Sequence, residues 1–264
     1  MTKEFYESNH ITKKGVDYER TSHTKINYML QLFDQQHNGY VVDIGCGDGT
    51  ISSLIQDRVQ GRVVGVDVSL VAAKRAKTRL SDVVVADLNK SLPFRNESID
   101  AIFCGSVIEH VFDVDRLMDE ILLVMKNDGY CVLTTPNLGW WVNRLLVLAG
   151  LNPLFSEPSY RYDIAGIAKR RRLDAPAGHL HLFTTRTLKK LLDMYGCKLS
   201  AIGGSTIMER HIIDRLESSR KIRTVAFIVG LFDRVATKFP TISAEVIVRF
   251  RKNEPLQSQV LAGD

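Results

Sequence analysis

Cysteine is scarce and never paired. The four residues Cys46, Cys104, Cys131 and Cys197 form no CxxC motif, so the chain carries neither a disulfide framework nor a cysteine zinc site of recognisable spacing. Cys46, Cys104 and Cys131 fall in or beside apolar strand-like runs, which suits reduced thiols and a cytoplasmic protein. No apolar stretch reaches the roughly 18 residues needed to span a bilayer. The polar opening MTKEFYESNHITKKGVDYERT has no apolar signal core, so a secreted or membrane-spanning protein is not expected. Internal repeats and low-complexity tracts are missing too. Neither sign of charge dominates. The 35 Lys and Arg against 30 Asp and Glu leave a net +5, which permits a nucleic-acid or anionic-membrane partner without requiring one.

What is present is an alternation. From about residue 40 short β-branched runs take turns with helical patterns: YVVDI and GTISSLIQDR, RVVGVDV and SLVAAKRAKTRL, DVVVADL and a polar turn, IDAIFCGSV and DVDRLMDEILLVMK, then YCVLTTP. Short continuous apolar runs are strands covered on both faces, the mark of a parallel sheet flanked by helices. Ahead of them, HTKINYMLQLFDQQH places Ile26, Met29, Leu30 and Phe33 on one helical face. Later, TTRTLKKLLDMYG reads as a helix capped by Thr184 or Thr185 and ended by Gly196. KLSAIGG and SAEVIVRFRK supply two more strands, seven in all. These readings divide a single domain into an N-terminal helical segment (1–38), a ligand-binding core (39–136), insertions at 137–183 and 205–240, a second part of the core (184–204 and 241–252) and a tail (253–264). Both insertions follow strands, so they are expected to form a cap over the cleft outside the carboxyl ends of the sheet.

The segment VVDIGCGDGT opens that cleft. Gly45, Gly47 and Gly49 allow positive backbone dihedrals and close approach by a ligand at the start of a helix. The third glycine comes too early for the dinucleotide fingerprint, and no Lys-Ser/Thr pair completes a P-loop. Asp43 and Asp48 would repel a pyrophosphate and attract an ammonium group. Asp67, ending RVVGVDV, suits the two hydroxyls of a ribose, while Asp87 and the amide of Leu88 suit the amino group and ring nitrogen of adenine. Adenosine carrying an amino acid is S-adenosylmethionine, whose sulfonium is tolerated beside Asp43.

These motifs together resemble the class I S-adenosylmethionine-dependent methyltransferases of the type 11/23 group. The resemblance runs over VDIGCGDG, VVGVDVS, VVVADLNKSLPF and IDAIFCGSVIEHV, and SVIEHV is similar to ubiquinone-biosynthesis O-methyltransferases. It implies an α/β, Rossmann-like, seven-stranded sheet, mostly parallel with its last strand antiparallel and helices on both faces. It also implies cofactor roles for Asp43, Gly45, Cys46, Gly47 and Gly49 at the methionine end, Asp67 and Val68 at the ribose, Asp87 and Leu88 at adenine, and Ser106 and Ile108 near the sulfur.

The acceptor is less legible. His110 after the fourth strand, and His179 and His181 in GHLHLF, are candidate catalytic bases. Glu109 and His110 also have a bracing reading. His179 and His181 resemble half of a metal site that no nearby carboxylate or cysteine completes, so no metal is expected. The run KRRR at 169–172 is either an anion grip or a solvated loop. WWVNRLLVLAGLNPLF and RTVAFIVGLFDRVATKF read as cap packing, or as a surface for a membrane or a lipid-linked acceptor. A small-molecule, glycan or lipid-linked acceptor, methylated on oxygen, is the expectation. The rivals are an RNA or other nucleic-acid methyltransferase, which the absence of an Asn/Asp-Pro-Pro-aromatic motif disfavours, and a non-catalytic S-adenosylmethionine-binding partner protein.

Overall fold

The computed structural model describes residues 23–36, 38–159, 161–163, 165–166, 171–172, 178–206 and 220–253. Residues 1–22 of the expected N-terminal helical segment and 254–264 of the tail lie outside them. In chain order the elements are α1 (His23–Gln31), β1 (Tyr40–Ile44), α2 (Thr50–Arg58), β2 (Arg62–Asp67), α3 (Leu70–Ala76), β3 (Asp82–Val85), β4 (Ile99–Gly105), α4 (Val114–Val124), β5 (Met125–Pro136), α5 (Trp141–Leu148), β6 (Tyr162–Asp163), β7 (Arg171–Arg172), α6 (Thr185–Met194), β8 (Cys197–Ser205), α7 (Arg220–Ala236) and β9 (Glu245–Lys252).

Seven strands form one sheet in the order β3-β2-β1-β4-β5-β9-β8, and β6 and β7 make a separate two-stranded ribbon. β1 to β5 pair in parallel. β9 runs antiparallel to both of its neighbours. The chain therefore winds outward from β1 in two directions, and the strand order switches between β1 and β4. At such a switch point the loops leaving the two strands part and open a crevice.

Burial on both faces explains the apolar runs. Val41, Val63, Ala101, Phe103, Val132 and Ile247 face one side, where Met29, Leu32, Phe33 and Ile55 of the α1 and α2 regions cover them. Their strand neighbours Val42, Val64, Ile102, Leu133 and Val248 face the other, under Leu117, Met118 and Ile121 of α4 and Leu188 and Leu192 of α6. Successive side chains of a strand point to opposite faces, so each strand needs apolar residues at every position.

The caps follow local chemistry. Ser69 accepts from the Ala72 amide at the start of α3, Asp113 from the Arg116 amide at α4, and Thr184 from the Thr187 amide within a capping box at α6. Gly196 follows α6 at φ 63°, as the helix-stop reading of that glycine requires. Where boundaries differ from the sequence reading, local hydrogen bonding gives the reason. α3 stops at Ala76 because Thr78 and Arg79 bond three residues back, to Arg75 and Ala76, tightening its end into turns. β5 starts at Met125, directly from α4, because Met125 pairs with Ile99 ahead of a register shift.

The insertion after β5 is tied back to the sheet by Asn137, which is fully buried. Its amide nitrogen donates to the carbonyls of Pro240 (3.0 Å) and Ser243 (2.7 Å), and its oxygen accepts from Gly139 (2.8 Å). α5 and α7 meet around a buried acid, Asp233. One of its oxygens accepts from the indoles of Trp140 (2.7 Å) and Trp141 (3.2 Å), and the other from the Thr206 hydroxyl. Among the described residues no helix is long and apolar enough to cross a membrane.

Candidate active site

The loop after β1 is bent by three left-handed glycines, Gly45 (φ 77°), Gly47 (φ 56°) and Gly49 (φ 79°). At Gly45 space decides as well as dihedral, since a Cβ there would lie 2.5 Å from Val107 Cγ2. The loop folds back on β2: the amides of Gly45 and Cys46 donate to the Val66 carbonyl at 2.7 and 2.9 Å. Asp67 completes the turn. Its Oδ2 accepts from the Gly47 amide (2.9 Å) and its Oδ1 from the Ser69 amide (2.8 Å). A carboxylate offers about four acceptor sites, and these amides orient it at the carboxyl end of β2. Val68, half-buried, follows it.

Asp43 behaves otherwise. It is 2% exposed and accepts from the Ser52 hydroxyl at 2.5 Å. Burial pushes its carboxyl up to about 7, with Ser52 pulling it down and Asp67 pushing it further up. Its side chain braces α2 beneath the loop. Asp48 accepts from the Thr50 amide and stands 4.0 Å from Arg79. Cys46 is buried and faces Gly65, whose added Cβ would meet its Sγ at 2.8 Å.

Asp87 lies two residues past β3 rather than at its end, because the ladder continues only through the Ala86 amide to the Asp67 carbonyl. Its Oδ1 accepts from the amide and side chain of Asn89. Leu88 is half-buried against the core. Ser106, just past β4, has φ 54°, a conformation that costs a non-glycine residue of order 1 kcal/mol or more. Its Oγ accepts from Lys25 Nζ at 3.1 Å. Ile108 is fully buried, while Val107 packs over Gly45.

The acidic and imidazole groups converge behind Ser106. Glu109 is 1% exposed. Its Oε2 accepts from Thr135 Oγ1 at 3.0 Å, whereas its Oε1 has no hydrogen-bond partner. Burial pushes this carboxyl up to about 7, opposed by its own backbone amide, the Lys25 charge and the Thr135 hydroxyl, and reinforced by Glu245. His110 Nδ1 donates to the Gly178 carbonyl (3.0 Å) and His179 Nδ1 to the Phe155 carbonyl (2.9 Å). A carbonyl only accepts, so each neutral ring keeps its lone pair on Nε2. The two rings lie 4.9 Å apart, centroid to centroid. His110 Nε2 stands 3.9 Å from Glu109 Oε1.

Sequence spacing paired His179 with His181. The structure instead groups His179 with Glu109 and His110, about 70 residues earlier, with one donor atom of each within 4.8 Å of the others. His181 Nε2 is buried without a hydrogen-bond partner. The GHLH segment is held by its backbone: the Glu109 carbonyl accepts from Leu180 (2.7 Å) and His181 (3.1 Å), and Glu157 Oε2 accepts from the amides of Gly178 (2.6 Å) and His179 (3.1 Å). Of KRRR, residues 169 and 170 lie outside the described residues, and Arg171 and Arg172 are described only as strand backbone.

Sequence reasoning passed over Lys25 and Glu245. Lys25 Nζ bridges Ser106 and Glu245 Oε1, the latter at 2.7 Å with both side chains largely buried. A glutamate opening the apolar run of β9 was the available signal.

A Gly-rich loop after β1, an acid ending β2 and a seven-stranded sheet whose last strand in sequence, β9, is antiparallel to its neighbours fit the class I S-adenosylmethionine-dependent methyltransferases. A family model described as a methyltransferase domain matches residues 18–202, and the chain belongs to that family. A probable S-adenosylmethionine-dependent methyltransferase of Mycolicibacterium smegmatis is 32% identical over 98 residues, 37% of this chain and 38% of its own length. The chain thus spans about two fifths of the length of such curated relatives. Trans-aconitate 2-methyltransferase of Azoarcus is 29% identical over 181 residues, 62% of this chain and 67% of its own. Among solved structures, geranyl diphosphate C-methyltransferase from Streptomyces coelicolor, in complex with Mg2+, geranyl diphosphate and S-adenosyl-L-homocysteine, has the same fold (TM-score 0.58, 17% identity, covering 94% of this chain and 83% of that one).

Proposed function

We propose that the chain is an S-adenosylmethionine-dependent O-methyltransferase acting on a hydroxyl of a small-molecule, glycan or lipid-linked acceptor. Gly45, Cys46, Gly47, Gly49, Asp67, Val68, Asp87, Leu88 and Ser106 would hold the cofactor, with Asp43 bracing the loop from beneath and Ile108 packed behind it. The methyl passes in line from the sulfonium to the acceptor oxygen. The S–CH3 bond breaks as the O–CH3 bond forms, and sulfur keeps the bonding electrons as S-adenosylhomocysteine. Alignment supplies most of the rate. The hydroxyl must also lose its proton.

The observation that carries this reading is the pair of tautomer-fixed imidazoles, His110 and His179, beside Glu109 and past the end of β4. Lone pairs on their Nε2 atoms are what a hydroxyl acceptor needs: a base for its proton, or an anchor for a cation that makes it more acidic. Within the acceptor class, the cap favours a lipid-linked molecule met at a membrane surface. Leu145, Leu148, Phe227, Leu231 and Phe232 of α5 and α7 are 56–84% exposed. The sequence of α7 begins RKIRT and carries Arg234 in its last turn, as a helix resting on anionic headgroups does.

Methyl-labelled S-adenosylmethionine incubated with the protein and a fractionated cell extract tests the proposal. Label is expected in an alkali-stable product of the lipid or small-molecule and glycan fractions. Label confined to RNA, or binding of S-adenosylmethionine with no labelled product in any fraction, would replace it with the nucleic-acid or the partner-protein reading.

A further inference from the structure

We propose that Glu109, His110 and His179 form a binding site for a single divalent transition-metal cation of the zinc type, with a coordination position left open to the acceptor oxygen. The use of the cation rests on the hydroxyl-acceptor reading above, but its binding does not. Three features of this chain carry the assignment.

The first is donor chemistry. Both imidazoles give their Nδ1 hydrogen to a backbone carbonyl, Gly178 for His110 and Phe155 for His179. That arrangement turns the Nε2 lone pair outward and is the usual outer-shell support of a metal-ligating histidine. Two histidines and a carboxylate are a recurrent catalytic set for zinc.

The second is an unsatisfied group. Glu109 is 1% exposed, yet its Oε1 has no hydrogen-bond partner and lies 3.9 Å from His110 Nε2. A buried polar atom left without a partner costs about 1–3 kcal/mol, more where it is charged. The gap is too long for a hydrogen bond. It is near the separation of about 3.4 Å between two ligands of a tetrahedral zinc ion with bonds of about 2.0–2.1 Å. The donor from His179 lies within 4.8 Å of the other two, a spread that small rotations about side-chain torsions close.

The third is local charge. Lys25 and Glu245 pair with one another at 2.7 Å, so the Lys25 charge felt at Glu109 is countered in part by Glu245. Glu157 fixes the backbone of the third ligand by accepting from the amides of Gly178 and His179. A hydroxyl ligated at the open position would lose its proton more easily, as metal-bound water does. The imidazoles then serve as ligands, and the proton leaves to solvent.

The test uses the full chain, stripped with chelator and dialysed. Titration with ZnCl2 alone in a calorimeter is expected to show one site of micromolar or tighter affinity. Co2+ alone should give visible absorption bands of the intensity of a four- or five-coordinate ion. Glu109→Gln and His179→Ala should each weaken Zn2+ binding at least tenfold, with His23→Ala unchanged; circular dichroism and S-adenosylmethionine binding on the same samples show whether each variant is folded. Absence of stoichiometric binding in the stripped, folded chain overturns the site, as does binding that folded variants leave unaltered. Methylation that survives stripping would retain the proposed function and remove the metal. A bound metal with no methylated hydroxyl in any fraction would do the reverse.

Discussion

At the scale of single residues, two aspartates 24 positions apart show how environment divides one chemistry into two roles. Asp67 is oriented by two amides at a strand end, where ribose hydroxyls would meet it. Asp67→Ala is expected to weaken S-adenosylmethionine binding by about 1.5–3 kcal/mol, the worth of hydrogen bonds to a charged group; titration calorimetry checks this, and unchanged affinity would count against the ribose assignment. Asp43 is sealed under the loop with its carboxyl pushed up from 3.8 to about 7. An unfolded chain gives up this proton near pH 4 and the native one only near 7, so between those values the unfolded state binds fewer protons and stability falls as pH rises. Above about 7 the penalty is constant. Asp43→Asn should flatten that fall, by on the order of a few kcal/mol between pH 4.5 and 7.5 in urea unfolding, and equal slopes in the two proteins would contradict the burial argument. Both acids were visible in the sequence as strand-end carboxylates. That Asp43 is sealed against Ser52 while Asp67 is held by two amides was not, because that depends on α2 and on burial.

At the scale of elements, the helices of the sheet were legible through their spacing, and α6 even through its capping threonine and terminating glycine. The cap was not. RTVAFIVGLFDRVATKF reads as an apolar helix with basic ends, but Asp233 within it is 1% exposed and holds Trp140, Trp141 and Thr206. Periodicity cannot announce an inward-facing acid whose partners sit on other segments of the chain. Removing it leaves two indole donors and a hydroxyl without their acceptor. Asp233→Ala is therefore expected to cost about 2–4 kcal/mol, read as faster amide exchange across α5 and α7 than across β1 and β4. Equal protection would mean that apolar packing alone joins the cap helices.

At the scale of the whole molecule, the alternation of β-branched runs and helical stripes was enough for the α/β class, the seven strands and the cofactor loop. Each of these depends on neighbours within about 30 residues, and doubly covered strands must be apolar throughout. Even the placement of Asp67 at the end of β2, and of Asp87 two residues past β3, follows in outline, since strand ends in a parallel sheet all open on one side. The cluster behind Ser106 lay beyond that reach. The ion pair of Lys25 with Glu245 joins residues 220 apart, and the meeting of Glu109 and His110 with His179 depends on the GHLH backbone docking on the Glu109 carbonyl. The sequence by itself determined the glycine loop and the acids near the strand ends, because glycines and such acids do local work. Only the tertiary structure decided the cluster of Glu109, His110 and His179, because the orphaned carboxylate oxygen, the oriented imidazoles and the buried ion pair exist only where distant segments pack together and exclude water.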